Sequence, residues 1–298
     1  MLEYLAARAT PGVEAVEAGA YRRSISLNGS HGYFELALGE RNNTLTARIE
    51  FGDPCLLFLI IERIGAIFDL NADWAVIART LRADLFLAPR VKTEEGVRVP
   101  GCWDGFEFVT RAILGQQTQV RTVTMLAGRL AHAFGAPFPA ARGLTHLFPT
   151  PEVLADADLS RIGLPRAKAA TIRAFARAVC DGQIQFAGIV DGDAFLSRLR
   201  KIPGIGKWVA QCAAMGVLRD PDGFPSSDLV LRRVADRSSA RELEDYSQVW
   251  RPWRAYAAML LWHGADDMSG ETASRESGAL KASFIPFETE KAPAVHSR

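Results

Sequence analysis

The chain has 298 residues, 48% of them hydrophobic, and a formal net charge of +1. That length carries two domains, or one large one with an appendage, with the composition of an ordinary globular protein. Its longest apolar run, Cys55 to Ile61, excludes a membrane-spanning helix of roughly 20 residues, and the near-neutral charge argues against a strongly basic nucleic-acid binder. Residues 2–19 read as a helix. Strands are expected at Tyr21–Leu27, Gly32–Leu38 and Thr44–Phe51, the last two flanking a turn over residues 39–43. In the third, Leu45, Ala47, Ile49 and Phe51 alternate with polar residues, the period of a half-buried antiparallel strand. Helices at about 54–68 and 71–83 complete an α+β domain over residues 1–85, with helices on one face of a small antiparallel sheet.

Beyond residue 88 no strand is predicted. Helical segments are separated by breaks at Pro100-Gly101, Phe148-Pro149-Thr150-Pro151, Gly163-Leu164-Pro165 and Pro203-Gly204. Phe106, Val109 and Ile113 form one apolar stripe of a helix over 104–117 that ends at Gly115. An all-α region therefore covers residues 86–268, and the polar, aperiodic residues 269–298 form a disordered tail. The start, Met1-Leu2-Glu3-Tyr4, lacks the features of a signal peptide, so a cytosolic protein is expected. Cys55, Cys102, Cys180 and Cys212 show no CxxC pair, so neither zinc nor an iron–sulfur cluster is expected and the thiols are reduced core residues.

Two segments carry the chemistry. In Ile202-Pro203-Gly204-Ile205-Gly206-Lys207-Trp208, Pro203 stops one helix, and Gly204 and Gly206 permit positive φ and leave the backbone bare. The helix starting near Lys207 then offers unpaired N–H groups and a positive dipole end to an anion. About twenty residues on, Phe224-Pro225-Ser226-Ser227-Asp228-Leu229 places one carboxylate, Asp228, at the start of an apolar helix. Each half has a plain alternative: a helix–helix turn for the first, an N-cap for the second. Basic clusters at Arg161, Arg166 and Lys168, at Arg198, Arg200, Lys201 and Lys207, and at Arg232, Arg233 and Arg237 supply local positive charge.

Leu199-x-x-Ile-Pro-Gly-Ile-Gly-Lys-Trp-Val-Ala resembles the hairpin of the helix-hairpin-helix DNA glycosylases, and Phe224-x-x-x-Asp228-Leu229 the segment bearing their catalytic Asp. The resemblance continues, in order, through Tyr4 to Ala9, Arg98-Val99-Pro100-Gly101, Phe106-Glu107, Arg111 to Gln117, Phe148 to Pro151, and Pro252-Trp253-Arg254-x-Tyr256-Ala257 with Trp262. It covers residues 2–265 and is nearest to the alkylated-base branch, DNA-3-methyladenine glycosylase II. The resemblance also implies a strand ahead of residue 1 that is missing here, or a misassigned start.

It implies an enzyme that rotates a damaged base out of the duplex and hydrolyses its N-glycosidic bond. Asp228 would stabilise the sugar cation and orient water, with Asp104, Glu107, Asp220 and Asp222 as competitors, none of which occupies the position matching the catalytic Asp. Trp208, Trp262 and Tyr4 would form an aromatic pocket for cationic bases, with Cys212 where relatives carry an aromatic. DNA would be held by Gln116 and Gln117, the latter filling the vacated stack, and by Pro203, Gly204, Ile205, Gly206 and Lys207. Bifunctional relatives place a nucleophilic Lys at the position of Trp208, and an indole cannot form an imine, so a monofunctional enzyme is expected. No cofactor is expected beyond a monovalent cation on the hairpin carbonyls of residues 202–207. The partner is double-stranded DNA containing damaged bases, with no membrane, and the chain is expected to be a monomer. Two other readings stay open: an oxidised-guanine glycosylase, and a non-catalytic helix-hairpin-helix DNA-binding or damage-sensing module.

Overall fold

The computed structural model describes residues 1–39 and 44–263. The expected 39–43 turn (Gly39 apart) and the expected disordered tail over 269–298 lie outside the described residues. The first helix is much shorter than the expected 2–19: α1 spans Leu2–Ala6, and Pro11 and Gly12, the latter at φ +85°, turn the chain before Val13 enters the core. Residues Glu14–Glu17 then form a strand, β1, within the stretch expected to be helical. With β2 (Ala20–Leu27), β3 (Ser30–Leu38) and β4 (Leu45–Phe51) it makes an antiparallel sheet in the order β1-β2-β3-β4. Of the alternating set in β4 only Ile49 and Phe51 are partly covered; Leu45 and Ala47 are exposed, because β4 is a sheet edge.

Helix α2 (Leu57–Ile67) covers the sheet with Ile60, Ile64 and Ile67, which join Tyr21, Ile25, Phe34, Leu36 and Trp103 in one core. The next helix, α3 (Trp74–Leu81), packs elsewhere. Its Ile77, Ala78 and Leu81 belong, with α4 (Ala88–Thr93), to a core built from residues 215–261. The chain thus folds its early helices against its last ones.

The remainder is helical: α5 (Gly105–Gly115), α6 (Val120–Phe134), α7 (Pro151–Ala155), α8 (Arg166–Cys180), α9 (Gly192–Arg200), α10 (Lys207–Gly216), α11 (Leu229–Val234), α12 (Ala240–Tyr246) and a helical run over 254–263. Asp104 caps α5 by accepting from the Glu107 N–H, and Phe106, Val109 and Ile113 enter the central core with α6 and α8. One element was not expected here, a short hairpin of β5 (Pro137–Ala141) and β6 (Leu144–His146). It leans on the N-terminal sheet: Thr145 and His146 N–H groups donate to the Gly12 carbonyl, and Ser24 Oγ donates to the His146 carbonyl. No helix among the described residues is long and apolar enough to cross a membrane.

The sheet and α5 are joined by a buried charge cluster. Arg23 in β2 pairs with Glu107 of α5 and with Glu14 of β1 at 2.9 Å, while Arg111 of α5 reaches the other Glu14 oxygen at 2.9 Å. Tyr21 Oη and the Thr10 N–H donate to Glu14 as well. Burial alone would raise the Glu14 carboxyl, but Arg111, Arg23 and these donors hold it down at about 2. Burial, helped by the Glu14 charge, lifts Glu107 in spite of Arg23. Because the Glu14 value lies below the ordinary 4.5, its contribution is complete above pH 4.5 and is lost as pH falls toward 2. The full span corresponds to about 3 kcal/mol, of which Glu107 offsets part. The stability gap between wild type and Glu14→Gln, followed by urea unfolding, should therefore narrow steadily between pH 5 and pH 2.5; a gap independent of pH would mean that Glu14 is not held as an anion.

Candidate active site

The turn between α9 and α10 is the hairpin that the sequence predicts. Ile202 and Ile205 are buried and pin it, with the Ile205 N–H donating to the Ile202 carbonyl at 3.1 Å. Pro203, Gly204, Gly206 and Lys207 face solvent. Gly204 adopts φ +89°, and a Cβ there would collide with Thr171 Oγ1 of α8. Gly206 differs from expectation. It is extended (φ −94°, ψ −177°) and serves as N-cap of α10, which carries no side-chain cap. A Cβ on Gly206 would meet nothing within 4 Å, so its value lies in bare N–H groups at the helix start, not in a left-handed backbone. The Lys207 side chain turns to Glu244 of α12, 3.6 Å away.

Since the protein leaves Gly206 room for a side chain, Gly206→Asp should fold normally. Its carboxylate would then weaken binding to all duplexes alike, by about tenfold or more. Unchanged affinity for an abasic-site duplex would remove the hairpin from the interface.

Asp228 is the N-cap that its position allowed, and its carboxylate has further partners. As N-cap of α11 its Oδ1 accepts from the Val230 and Leu231 N–H groups at 2.9 and 3.0 Å. The same carboxylate is bracketed by two indoles. Trp208 Nε1, from the first turn of α10, donates to Oδ2 at 2.8 Å, and Trp262 Nε1 lies 3.4 Å from Oδ1. Backbone and indole donors together fix both oxygens. Cys212, one turn beyond Trp208, has its thiol pushed up by burial and then by the Asp228 charge, so it stays protonated. Tyr4 packs on the same apolar cluster as Trp262, with Arg8 stacked on its ring 3.8 Å from the centroid.

The competing acids are employed elsewhere. Asp104 caps α5, Glu107 belongs to the Arg23 cluster, Asp220 accepts from the Asp222 N–H, and Asp222 makes a two-pronged pair with Arg254 at 2.9 Å.

The turn after α5 comes to the same place. Gln116 Nε2 donates to the Gly204 carbonyl at 3.0 Å, tying this turn to the hairpin, and Gln117 is exposed at φ +52°. The missing side chain at Gly115 leaves room for the Trp208 ring, which would stand 3.3 Å from a Cβ there. Sequence spacing shows none of these cross-chain contacts. It also misplaces Lys168, whose ammonium turns inward instead of joining Arg161 and Arg166 on the surface: it donates to the Leu114 carbonyl at 2.8 Å. Two open grooves, of about 580 Å³ beside Trp74 and about 230 Å³ beside Arg200, do not include Asp228.

An uncapped hairpin helix, with a bracketed acid at the start of the next helix, places the fold in the helix-hairpin-helix class. The family described as "AlkA N-terminal domain" matches residues 1–104, and that described as "HhH-GPD superfamily base excision DNA repair protein" matches residues 110–251. The chain belongs to the HhH-GPD superfamily, with an AlkA N-terminal domain ahead of it.

It is 37% identical over 265 residues to the "Probable bifunctional transcriptional activator/DNA repair enzyme AlkA" of Mycobacterium tuberculosis, covering 87% of this chain and 53% of that protein. The chain thus spans about half the length of that relative. It is 29% identical over 269 residues to the "DNA-3-methyladenine glycosylase 2" of Escherichia coli, covering 88% and 92% of the two chains. Its fold matches that of a 3-methyladenine DNA-glycosylase from Archaeoglobus fulgidus with a TM-score of 0.76 at 20% identity, over 90% and 94% of the chains.

Proposed function

We propose that this protein is a monofunctional DNA glycosylase that excises alkylated bases of the 3-methyladenine type and leaves an abasic site. The observation that carries the reading is the acid without an amine. Asp228 holds both indole N–H groups, Trp208 occupies the hairpin position of an amine nucleophile, and Lys207 is turned away to Glu244. The family membership and the names of the relatives point the same way.

In this mechanism the hairpin N–H groups hold a phosphate near the lesion, and Gln117 enters the space the rotated nucleotide leaves. The base lies against Trp208 and Trp262, whose π faces favour a cationic purine. As the bond from C1′ to the base nitrogen lengthens, positive charge grows on the sugar, and the fixed Asp228 carboxylate stabilises it without reorganising. Water then adds to C1′, its proton passing to Asp228 or to solvent, and the base departs with the bonding electron pair.

The partner is damaged double-stranded DNA, met by a monomer, and no cofactor takes part. The hairpin carbonyls suit a monovalent cation: they are hard oxygen donors, and those of Ile202, Gly204 and Gly206 each accept one hydrogen bond and keep a second lone pair. Such a cation would draw the phosphate closer.

Duplexes carrying hypoxanthine, 3-methyladenine or 8-oxoguanine separate the alternatives. Base release that becomes strand breakage only after alkali is the expected outcome; breakage without alkali would indicate an oxidised-guanine enzyme, and binding alone a damage sensor. Borohydride added during turnover should trap no covalent protein–DNA adduct, since the Trp208 indole cannot form an imine. A trapped band that disappears in Lys207→Ala would place this chain with the bifunctional branch.

A further inference from the structure

Lys168 stands in the first turn of α8, just after the buried Ile162 and Leu164 and the left-handed Gly163 (φ +77°). This short turn mimics the hairpin, and its exposed Arg161 and Arg166 suit a basic surface. Lys168 does not share that direction. Its ammonium donates to the Leu114 carbonyl, among the last carbonyls of α5, and to Thr118 Oγ1 on the far side of the Gln116-Gln117 turn. Thr118 Oγ1 donates in turn to the Gln116 carbonyl at 3.0 Å, and the Thr118 N–H donates to the Gly115 carbonyl at 3.2 Å. From the other side Gln116 Nε2 holds the Gly204 carbonyl, and Thr171, one helical turn along α8 from Lys168, packs against Gly204. One lysine therefore closes a loop of hydrogen bonds around a turn whose tip, Gln117, sits in the left-handed conformation that side chains adopt at a cost.

We infer that Lys168 is a positioning residue that holds the Gln116-Gln117 turn in the shape that enters the duplex, without contacting phosphate itself. The inference rests on the insertion role of Gln117 proposed above. Burial pulls the Lys168 ammonium below the usual lysine value, as befits a group turned into the protein. Two of its three protons are directed at fixed acceptors, a C-terminal helix carbonyl being a strong one for a cation. A preset turn matters most when the lesion is paired, because the opening of the stack must then be captured by a side chain already in place. Where the opposite base is absent, the same help is worth little.

The test compares base release under single-turnover conditions from two duplexes, hypoxanthine opposite thymine and hypoxanthine opposite a tetrahydrofuran abasic analogue. Lys168→Met should lose about tenfold on the paired duplex, the size of one charge-assisted hydrogen bond, and stay within about twofold on the gapped one. Thr118→Val should show the same selective loss. The double variant should be no slower than Lys168→Met alone, since both substitutions open one loop. The salt dependence of binding should be unchanged.

An equal loss on both duplexes, additive effects, or a salt slope reduced by about one would overturn the inference, the last by making Lys168 a phosphate contact. Gln117→Ala distinguishes the two levels of reading. If it shows the paired-duplex loss and Lys168→Met does not, only the role of Lys168 fails. If neither Gln117→Ala nor Lys168→Met shows it, the insertion reading falls and the inference with it. Should Lys168→Met not fold, Thr118→Val carries the same comparison.

Discussion

Asp228→Asn is expected to bind lesion DNA much as wild type does, yet release the base roughly 10²-fold more slowly or worse. The charge is only part of the loss. The Val230 and Leu231 N–H groups require an acceptor at Oδ1, so the Asn amide NH₂ would have to point at Trp208 Nε1, donor against donor. The variant thus keeps its helix cap and loses both the anion and the indole bond. Single-turnover release measured beside a binding isotherm separates these effects. A rate within a few-fold of wild type would place the acid elsewhere, with Asp104 the first to examine.

The second large effect concerns stability. Arg23→Met should destabilise the protein by about 3–5 kcal/mol, the scale for removing one partner of a buried ion pair. The Arg23 and Glu107 side chains are 5% and 4% exposed, so Glu107 would keep only Arg111, 3.6 Å away, and Glu14 would lose one of its two cations. Pairing the change with Glu107→Gln should recover part of the loss, because no buried carboxylate is then left uncompensated. Denaturant unfolding that moved by less than about 1 kcal/mol would show that the cluster is a bystander to folding.

What could be read in the sequence follows from how local the cause was. The hairpin turn and the helix start at Asp228 are set by residues within a few positions of each other, so both were legible; the burial of Ile202 and Ile205 was not, Ile205 being expected among the DNA contacts. The strand β1 was not, because four residues show no period, although Pro11-Gly12 marked the break that a helix over 2–19 ignored. The β5–β6 hairpin escaped for a similar reason, being held by Gly12 and Ser24 from the other end of the chain. At Gly206 the residue type was right and the reason wrong: a glycine permits φ > 0, yet this one is extended. Lys168 looked like surface charge because its acceptors lie 54 and 50 residues upstream. The pairing of Arg23 with Glu107 spans 84 residues and carries no sequence signature at all.

That the acid is also a helix cap constrains how this site can decay. On the proposed mechanism a change at Asp228 would silence the chemistry, and a capping position accepts only a short list of side chains, with Asn, Ser and Thr foremost after Asp. A lineage that abandoned catalysis but kept the fold would therefore drift within that list. Asn or Ser at this one position, in a chain with the hairpin intact, would mark a descendant that still grips DNA and no longer cuts the glycosidic bond.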